Sequence, residues 1–332
     1  METIEPLRWG ILSTARINDK MLRGASLTPL ADIRAVASRS SERAAEFAAR
    51  WSIPDCYDSY DALLADDAIE SVYIPLPNAL HHPWTMAALR AGKHVLCEKP
   101  YSRHPEEATE AFALASEQGL VLSEAYMFRY HPQTRRLREL VVAGSIGELR
   151  LVNSSFTWPA DAPADIRLDP HLAGGSLVDV GCYCVSAARL LAGEPTAAAA
   201  EWVIGPTGVE TRMVGSLRFA NDVLLHFDSG FHLPDRSHLE VVGMHGLIRV
   251  NDPWHCAVPG LEILIQDEPA VIEPIDVANS YQLELDEFAR AVRGSPTSLL
   301  TRADAVGQAV ALDALYTAAA GGRTVQLAPT IA

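Results

Sequence analysis

The sequence is poor in basic residues, and this shortage limits what the protein can bind. Its 27 Lys and Arg residues are outnumbered by 42 Asp and Glu residues, so the formal net charge is −15. Broad binding to nucleic acid or anionic lipid requires a basic surface, so neither is expected as a partner. A small positive pocket for one phosphate group remains compatible with this charge.

A long apolar run, a secretion signal and a disulfide framework are also missing. No stretch of about 18 apolar residues occurs, so no membrane span is expected. The most apolar segment, Leu177 to Ala192, is interrupted by Asp179 and Arg189. Residues 1–10 lack a basic start followed by an apolar run, and we expect no signal peptide. The five cysteines are odd in number and scattered, which is typical of reduced thiols in the cytoplasm.

The length of 332 residues favours two domains. Residues 1–123 alternate short β-rich runs with helical segments, which predicts a doubly wound parallel sheet. Ligands of such sheets bind at the carboxyl ends of the strands. The predicted strands are Arg8–Leu12, Ile33–Ser38, Cys56–Tyr57, Ser71–Ile74, His94–Cys97 and Leu120–Ser123.

The pattern changes near Glu124. Later segments alternate apolar and polar residues, which predicts a large, mainly antiparallel open sheet with one covered face. These strands are Leu149–Phe156, Thr211–Phe219, Val223–His232, His238–Gly243, Leu247–Asn251 and Leu261–Gln266. Helices are predicted at Pro132–Ala143, Gly175–Ala192, Gln282–Arg293 and Arg302–Ala320. The run Ala197–Ala200 is too short to indicate a structure.

The turn after the first strand lacks the glycines of a dinucleotide site. Such sites use G-x-G-x-x-G so that the backbone can approach a pyrophosphate. This chain instead has Ser13, Thr14, Ala15, Arg16, Ile17 and Asn18. Serine and alanine are still small, and the start of the next helix still offers N–H groups to phosphate. The turn alone could belong to any βα unit, and it is the surrounding βα units that favour a dinucleotide site.

The end of the second strand favours NADP(H) over NAD(H). An NAD site usually has Asp or Glu there, whereas this chain has Ser38 and Arg39, with Arg43 one helical turn further on. An arginine suits a 2′-phosphate because it supplies charge and a planar set of donors. The alternative is a solvated arginine without a function.

Two further strands end in polar segments that could form a ligand site. A lysine at this edge can hydrogen-bond a reacting hydroxyl and lower its pKa. Taken alone, Lys99 is more often a surface lysine, and His81 more often binds the backbone at a helix start. The residues concerned are Pro75, Leu76, Asn78 and His81 after the fourth strand, and Glu98 and Lys99 after the fifth.

A second candidate for chemistry is the segment Gly174 to Tyr183. If it begins a helix, Asp179 and Tyr183 are four residues apart and share a face. A tyrosine near a lysine and an aspartate could relay a proton. The alternative is a core tyrosine with a bonded hydroxyl.

Metal and serine-nucleophile sites are not expected. Cys182 and Cys184 lie two apart on a predicted helix, which directs the two thiols about 200° apart. No second cysteine pair has ligand spacing, and no G-x-S-x-G sequence occurs.

Together these segments resemble the glucose–fructose oxidoreductase/inositol dehydrogenase (Gfo/Idh/MocA) family over essentially the whole chain. The matching segments are 9–17, 75–81, 91–100, 124–133 and 174–183, of which Glu98-Lys99-Pro100 is the most specific. Lys99 matches the family's catalytic lysine and Asp179 its aspartate. Tyr183 stands where many members have histidine. This resembles the subgroup of NADP-dependent D-xylose dehydrogenases, dimeric dihydrodiol dehydrogenases and deoxysugar 3-ketoreductases.

The resemblance implies an N-terminal Rossmann domain, 1–123, and a substrate-binding and oligomerisation α+β domain, 124–332. It further implies NADP(H)-dependent hydride transfer to or from a sugar or polyol. Tyr183 would exchange the hydroxyl proton, Lys99 would lower its pKa, and Asp179 would orient both. Candidates for the substrate wall are Tyr126, Arg129, Trp158, Asp165, Arg167 and His232, together with Asp179 and Tyr183.

Three alternatives remain open. A 3-ketosugar reductase of a deoxysugar pathway and a dihydrodiol dehydrogenase are enzymes of the same subgroup. A non-catalytic NADP-binding regulator belongs to another class, and the joint presence of Lys99, Asp179 and Tyr183 argues against it. An open sheet with an exposed face or edge needs to be covered, so a homo-oligomer, either a dimer or a tetramer, is expected. The protein is expected in the cytoplasm.

Overall fold

The computed structural model describes residues 4–160 and 165–328 and separates into two compact units. The first unit comprises the described residues up to Met127 together with Asn279–Val306, and the second comprises Phe128–Ala278 and the residues from Gly307 onward. The boundary inferred from the sequence, after residue 123, did not anticipate the return of Asn279–Val306 to the first unit.

The first unit contains a six-stranded parallel sheet of order β3-β2-β1-β4-β5-β6. This confirms the predicted doubly wound fold. Its strands are β1 Leu7–Leu12, β2 Ala31–Ala37, β3 Asp55–Tyr57, β4 Ser71–Ile74, β5 His94–Glu98 and β6 Leu122–Ala125. The helices between them are α1 Asn18–Ala25, α2 Ser41–Trp51, α3 Tyr60–Leu64, α4 His81–Arg90 and α5 Pro105–Glu117.

Local sequence signals explain where several helices begin. Ser40 accepts a hydrogen bond from the Arg43 N–H at the start of α2, and Ser59 does the same for α3 through the Ala62 N–H. Both serines are N-caps, which satisfy N–H groups that lack helical partners. Pro105 occupies the first turn of α5, where its missing N–H costs nothing.

The second unit is built on a nine-stranded sheet of order β14-β13-β12-β11-β7-β10-β9-β8-β15. All neighbouring strands run antiparallel except β7 and β10, which are parallel. After α6 Pro132–Val142 come β7 Leu149–Trp158, α7 Cys182–Ala192, β8 Pro195–Ile204, β9 Glu210–Phe219, β10 Leu224–Phe231, β11 Arg236–Gly243, β12 Gly246–Asn251, β13 Gly260–Ile265 and β14 Val271–Pro274. The chain continues with α8 Ser280–Val292, which belongs to the first unit, and ends with α9 Arg302–Gly321 and β15 Val325–Gln326.

The predicted mainly antiparallel sheet is thus confirmed, but its two edge strands, β14 and β15, were not predicted. The run Ala197–Ala200, which had no predicted structure, lies within β8 and pairs with β9. The single helix predicted at Gly175–Ala192 instead begins with a π turn, Leu177–Gly181, before α7. The segment Pro170–Ala192 is long and apolar enough to cross a membrane by composition, but 78% of its most apolar window is buried, which is typical of a core helix.

The core of the first unit explains why α8 belongs to it. Trp9 on β1 and Phe288 on α8 are both fully buried, and their ring centroids are 5.0 Å apart. Leu285 and Ala289 of the same helix lie in that cluster. Burial of a large aromatic ring contributes about 1.5–3 kcal/mol, so these contacts stabilise the return of the chain.

Candidate active site

The turn after β1 is held by side chains that replace the missing glycines. Ser13 has a φ of 141°, and its hydroxyl donates to the Pro75 carbonyl at 3.2 Å. The same hydroxyl accepts the Ala15 N–H at 3.2 Å, while the Asn18 amide donates to the Ser13 carbonyl at 2.8 Å. The turn is therefore tied to the loop after β4. The sequence analysis did not single out Asn18, which is fully buried at the start of α1.

The residues expected to hold a 2′-phosphate lie on the surface after β2. Ser38 is buried, whereas the side chains of Arg39 and Arg43 are exposed. Burial raises the pKa of Tyr60 of α3, and the nearby charge of Arg39 opposes that rise. The sequence analysis did not single out Tyr60, which neighbours Arg39 at this edge of the sheet.

His81 joins the two loops that follow β4 and β5. Its Nε2 lies 2.8 Å from the Leu76 carbonyl, and its Nδ1 lies 2.8 Å from the Pro100 carbonyl. Burial lowers the pKa of His81 and the charge of Lys99 lowers it further, whereas the contacts with the Pro100 and Leu76 carbonyls raise it. Both ring nitrogens contact the chain's own backbone, so the contribution of His81 to a cofactor site is to fix these loops. Asn78 lies in the short 3₁₀ turn just before it.

Glu98 and Lys99 end β5, and the peptide bond between Lys99 and Pro100 is cis. Glu98 accepts a hydrogen bond from the Tyr73 hydroxyl at 2.5 Å and from the Lys99 N–H at 3.3 Å. The strand end is therefore fixed from both sides. Lys99 is half-buried at the edge where such sheets bind ligands.

Two residues of α8, Tyr281 and Glu284, lie near Glu98 and Tyr73. No local sequence pattern predicts that they belong to this site. Tyr281 is half-buried and Glu284 is buried, and the Glu284 Oε1 has no hydrogen-bond partner among the described residues. Burial raises the pKa of Glu284 well above its usual value, and the charge of Glu98 raises it further. The same causes raise the pKa of Tyr73.

In the second unit, Asp179 is held by two residues that were expected to line the substrate wall, and a third, Asp165, holds one of them. The Trp158 indole donates to the Asp179 Oδ2 at 3.1 Å, and the Arg167 Nε forms an ion pair with the same oxygen at 3.0 Å. Asp165 pairs with the Arg167 Nη1 at 3.2 Å, and the guanidinium lies 5.1 Å from the Trp158 ring. Burial lowers the pKa of Arg167, but Asp179 and Asp165 outweigh this and leave it raised. The group therefore stabilises the Asp179 carboxylate.

Tyr183 lies among aromatic rings. The ring centroids of Phe156, Phe128 and Trp254 are 5.4, 5.5 and 5.9 Å from its own. Tyr183 is 8% exposed. The sequence analysis missed Trp254, which is fully buried and donates its indole N–H to the Ser155 carbonyl at 3.0 Å. Aromatic surroundings exclude water around the phenol.

The remaining wall candidates are scattered. Arg129 donates a hydrogen bond to the hydroxyl of Ser186 at 3.0 Å. Ser186 lies on α7, three residues after Tyr183. His232 is exposed, with a φ of 59° just after β10. Tyr126, at the end of the first unit, is 1% exposed. Within residues 4–160 and 165–328, no three His, Cys, Asp or Glu side chains lie close enough to hold a metal ion.

Comparisons with known proteins find matching family models and relatives. Residues 7–126 match the model of the oxidoreductase family with an NAD-binding Rossmann fold (GFO_IDH_MocA), and residues 134–249 match the GFO/IDH/MocA C-terminal domain. The chain is 39% identical to a D-xylose 1-dehydrogenase (NADP(+)) of Haloferax volcanii, over 97% of this chain and 100% of that protein.

Two solved structures are similar throughout. A 3-ketoreductase from Actinomadura kijaniata, in complex with NADP and TDP-benzene, has a TM-score of 0.89 at 32% identity and covers 95% of this chain and 98% of its own. An aldose-aldose oxidoreductase from Caulobacter crescentus, complexed with glycerol, has a TM-score of 0.90 at 25% identity and covers 97% and 100%. Structures of the 3-ketoreductase also include a tyrosine-to-phenylalanine and a lysine-to-alanine mutant.

Proposed function

The chain belongs to the GFO/IDH/MocA oxidoreductase family, and we propose that it catalyses NADP(H)-dependent hydride transfer to or from a sugar or related polyol, in the manner of a D-xylose or aldose 1-dehydrogenase. The observation that carries this proposal is the similarity to an NADP(+)-dependent D-xylose 1-dehydrogenase over the whole of both chains. One structural neighbour is named an aldose-aldose oxidoreductase, and a further relative, from Actinomadura kijaniata, is named a dTDP-3,4-didehydro-2,6-dideoxy-alpha-D-glucose 3-reductase.

The residues of the first unit fit NADP(H). The turn from Ser13 to Ile17 lies at the carboxyl edge of the sheet, and α1 begins after it without a side-chain cap at Ile17, so this helix start suits the pyrophosphate. Arg39 and Arg43 are exposed cations after β2, where they would pair with the 2′-phosphate. The loops after β4 and β5 would hold the nicotinamide end of the cofactor. The first loop contains Pro75, Leu76 and Asn78, and the second begins at Glu98 and Lys99. When bound, NADP(H) supplies or accepts the hydride.

The chain's own residues transfer the proton to or from the reacting oxygen of the sugar. The Tyr183 hydroxyl exchanges a proton with the reacting hydroxyl or carbonyl oxygen of the sugar, and the Lys99 ammonium stabilises the tyrosinate by its charge. Asp179 orients the reacting group as a carboxylate held by Trp158 and Arg167. The aromatic rings of Phe156 and Trp254 exclude water from the phenol.

A 3-ketosugar reductase is a second candidate, favoured by the similarity to the Actinomadura kijaniata enzyme. That enzyme was solved with TDP-benzene, a thymidine-diphosphate compound. The two candidates differ in substrate size, because a nucleotide-linked sugar needs additional cationic groups for its diphosphate. A dihydrodiol dehydrogenase is a third option of the same reaction class.

The test is a substrate panel with the purified wild-type protein. We expect NADP reduction with D-xylose or other free aldoses, measured at 340 nm, and slower reduction of NAD. NADPH oxidation only with nucleotide-linked 3-keto sugars would favour the second candidate, and turnover only of trans-dihydrodiols would favour the third. Tight NADPH binding without turnover of any substrate would refute an enzymatic function.

We also propose that the protein is a cytoplasmic homo-oligomer that associates through the outer face of its large sheet. Val203, Val214 and Leu224, on three neighbouring strands, are 45, 59 and 40% exposed. A second copy would cover these exposed apolar side chains. Val214→Glu should shift the mass measured by light scattering towards the monomer, whereas a monomeric wild type would refute the proposal.

A further inference from the structure

The helix that carries Asp179 and Tyr183 begins with an unusual turn. Leu177–Gly181 form a π turn, in which the Cys182 N–H donates to the Leu177 carbonyl five residues earlier. A π turn contains one residue more than an α turn, so it rotates Asp179 relative to Tyr183. Such turns persist only where the surrounding structure stabilises them.

Glu210 of β9 holds the beginning of this turn. Its two carboxylate oxygens accept the N–H groups of Ser176 and Leu177, each at 2.6 Å, and the Tyr316 hydroxyl donates to Oε1 at 3.1 Å. Glu210 is 4% exposed. The bonded N–H groups have no helical partners at a helix start, and a carboxylate there also interacts favourably with the helix dipole.

Gly175 makes room for this arrangement. Its φ is +146°, and an added Cβ would lie 2.9 Å from both the Glu210 Oε1 and the Tyr316 hydroxyl. On the sheet side, the hydroxyls of Ser176 and Ser229 are 3.1 Å apart. The turn is therefore seated directly on β9 and β10.

Gln308 of α9 holds the other end. Its Nε2 donates to the Cys182 carbonyl at 2.8 Å, and its Oε1 accepts from the Arg189 Nη1 at 3.1 Å. Arg189 is itself fixed by Glu194, at 2.6 and 2.9 Å. Gln308 is 1% exposed, so its amide has one orientation that satisfies both partners.

We propose that Glu210 and Gln308 are positioning residues for the reaction, because they clamp the π turn from both ends and so set the relative orientation of Asp179 and Tyr183. Both functional side chains meet the same face of β7: Asp179 bonds Trp158, and Tyr183 packs on Phe156. Residues two apart on a strand share a face. The inference rests on the proposed function, since it assigns Asp179 and Tyr183 to that reaction.

The experiment compares Glu210→Gln and Gln308→Met with the wild type. The first replaces a paired acceptor by an amide, and the second removes the donor to Cys182 at nearly constant side-chain length. We expect kcat to fall about 10- to 100-fold in each, because small misplacements of reacting groups have effects of this size. The Kd for NADPH, measured by fluorescence, should change less than about threefold.

The isotope effect with deuterated NADPH or sugar separates positioning from a loss of folded protein. If the variants only lower the fraction of folded enzyme, kcat falls while the isotope effect stays unchanged. If hydride transfer itself is slowed, the isotope effect rises. The matched control is Glu268→Gln, which removes the same charge from an exposed residue and should behave as wild type.

The two hypotheses fail separately. If the wild type turns over no sugar, the proposed function is wrong. If the wild type turns over a sugar and both variants, folded by circular dichroism, keep its kcat and isotope effect, the positioning role is wrong. Should Glu210→Gln fail to fold, Gln308→Met decides alone, because Arg189 keeps its bonds to Glu194 in that variant.

Discussion

Replacing Arg167 by glutamine tests whether this residue positions Asp179 or lines the substrate. The Arg167 Nε lies 3.0 Å from the Asp179 Oδ2, which also accepts the Trp158 indole. An interaction with a charged group contributes about 1.5–3 kcal/mol. Because the Arg167 side chain is 33% exposed and Asp179 16%, solvent screening favours the lower figure. At 1.36 kcal/mol per tenfold, kcat should fall about tenfold.

The assay is steady-state turnover of the best aldose at saturating NADP. A positioning role predicts a lower kcat with a nearly constant KM, because the orientation of Asp179 matters in the transition state. Trp158→Phe removes the other donor to Asp179 and should have a similar effect. The double variant should lose less than the product of the two single losses, because both side chains hold the same oxygen.

Two controls sharpen this test. Arg167→Lys keeps the charge but cannot bridge Asp165 and Asp179 with a planar fork, so its kcat should lie between wild type and Arg167→Gln. Arg138→Gln removes an equal charge from an exposed position of α6 and should leave kcat unchanged. A raised KM for the sugar at constant kcat in Arg167→Gln would refute the positioning argument and identify Arg167 as a wall residue.

Three further predictions concern the first unit. Arg39→Ala should weaken NADP(H) binding about 10-fold or more by fluorescence titration while changing NAD(H) binding little, since only NADP has the 2′-phosphate; equal losses would contradict this. Lys99→Ala should lower kcat about 10²- to 10⁴-fold while NADPH still binds, and near-normal turnover would exclude its role in proton transfer. Glu284, whose pKa burial raises well above the unfolded value of about 4.3, binds its proton on folding. Wild-type stability should therefore fall as pH rises from about 4.3 towards the folded-state pKa, and Glu284→Gln should flatten the dependence of Tm on pH; parallel Tm profiles would contradict it.

The regular alternation of strands and helices was enough to predict the parallel sheet, because local periodicity decides such elements. Elements decided by distant contacts were not predictable. Helix α8 packs in the first unit because its Phe288 contacts Trp9 of β1, and no local sequence pattern predicts that contact. Strand β8 was missed because alanine, which fills 197–200, has little β preference, and its pairing with β9 supplies the stabilisation.

The candidate site shows the same division between local and distant information. The spacing of four residues led to the prediction that Asp179 and Tyr183 share a helix face. The structure instead has a π turn at Leu177–Gly181, held by Glu210 and Gln308 from a strand and a helix distant in sequence. Arg167 was expected to face the substrate because its type suits hydrogen bonding to a sugar. Its position between two carboxylates, at 3.2 Å from Asp165 and 3.0 Å from Asp179, instead favours a role in holding Asp179. A sequence shows which polar side chains are available near a site. The charged groups that surround each side chain in the folded protein decide whether it contacts the ligand or supports a neighbour that does.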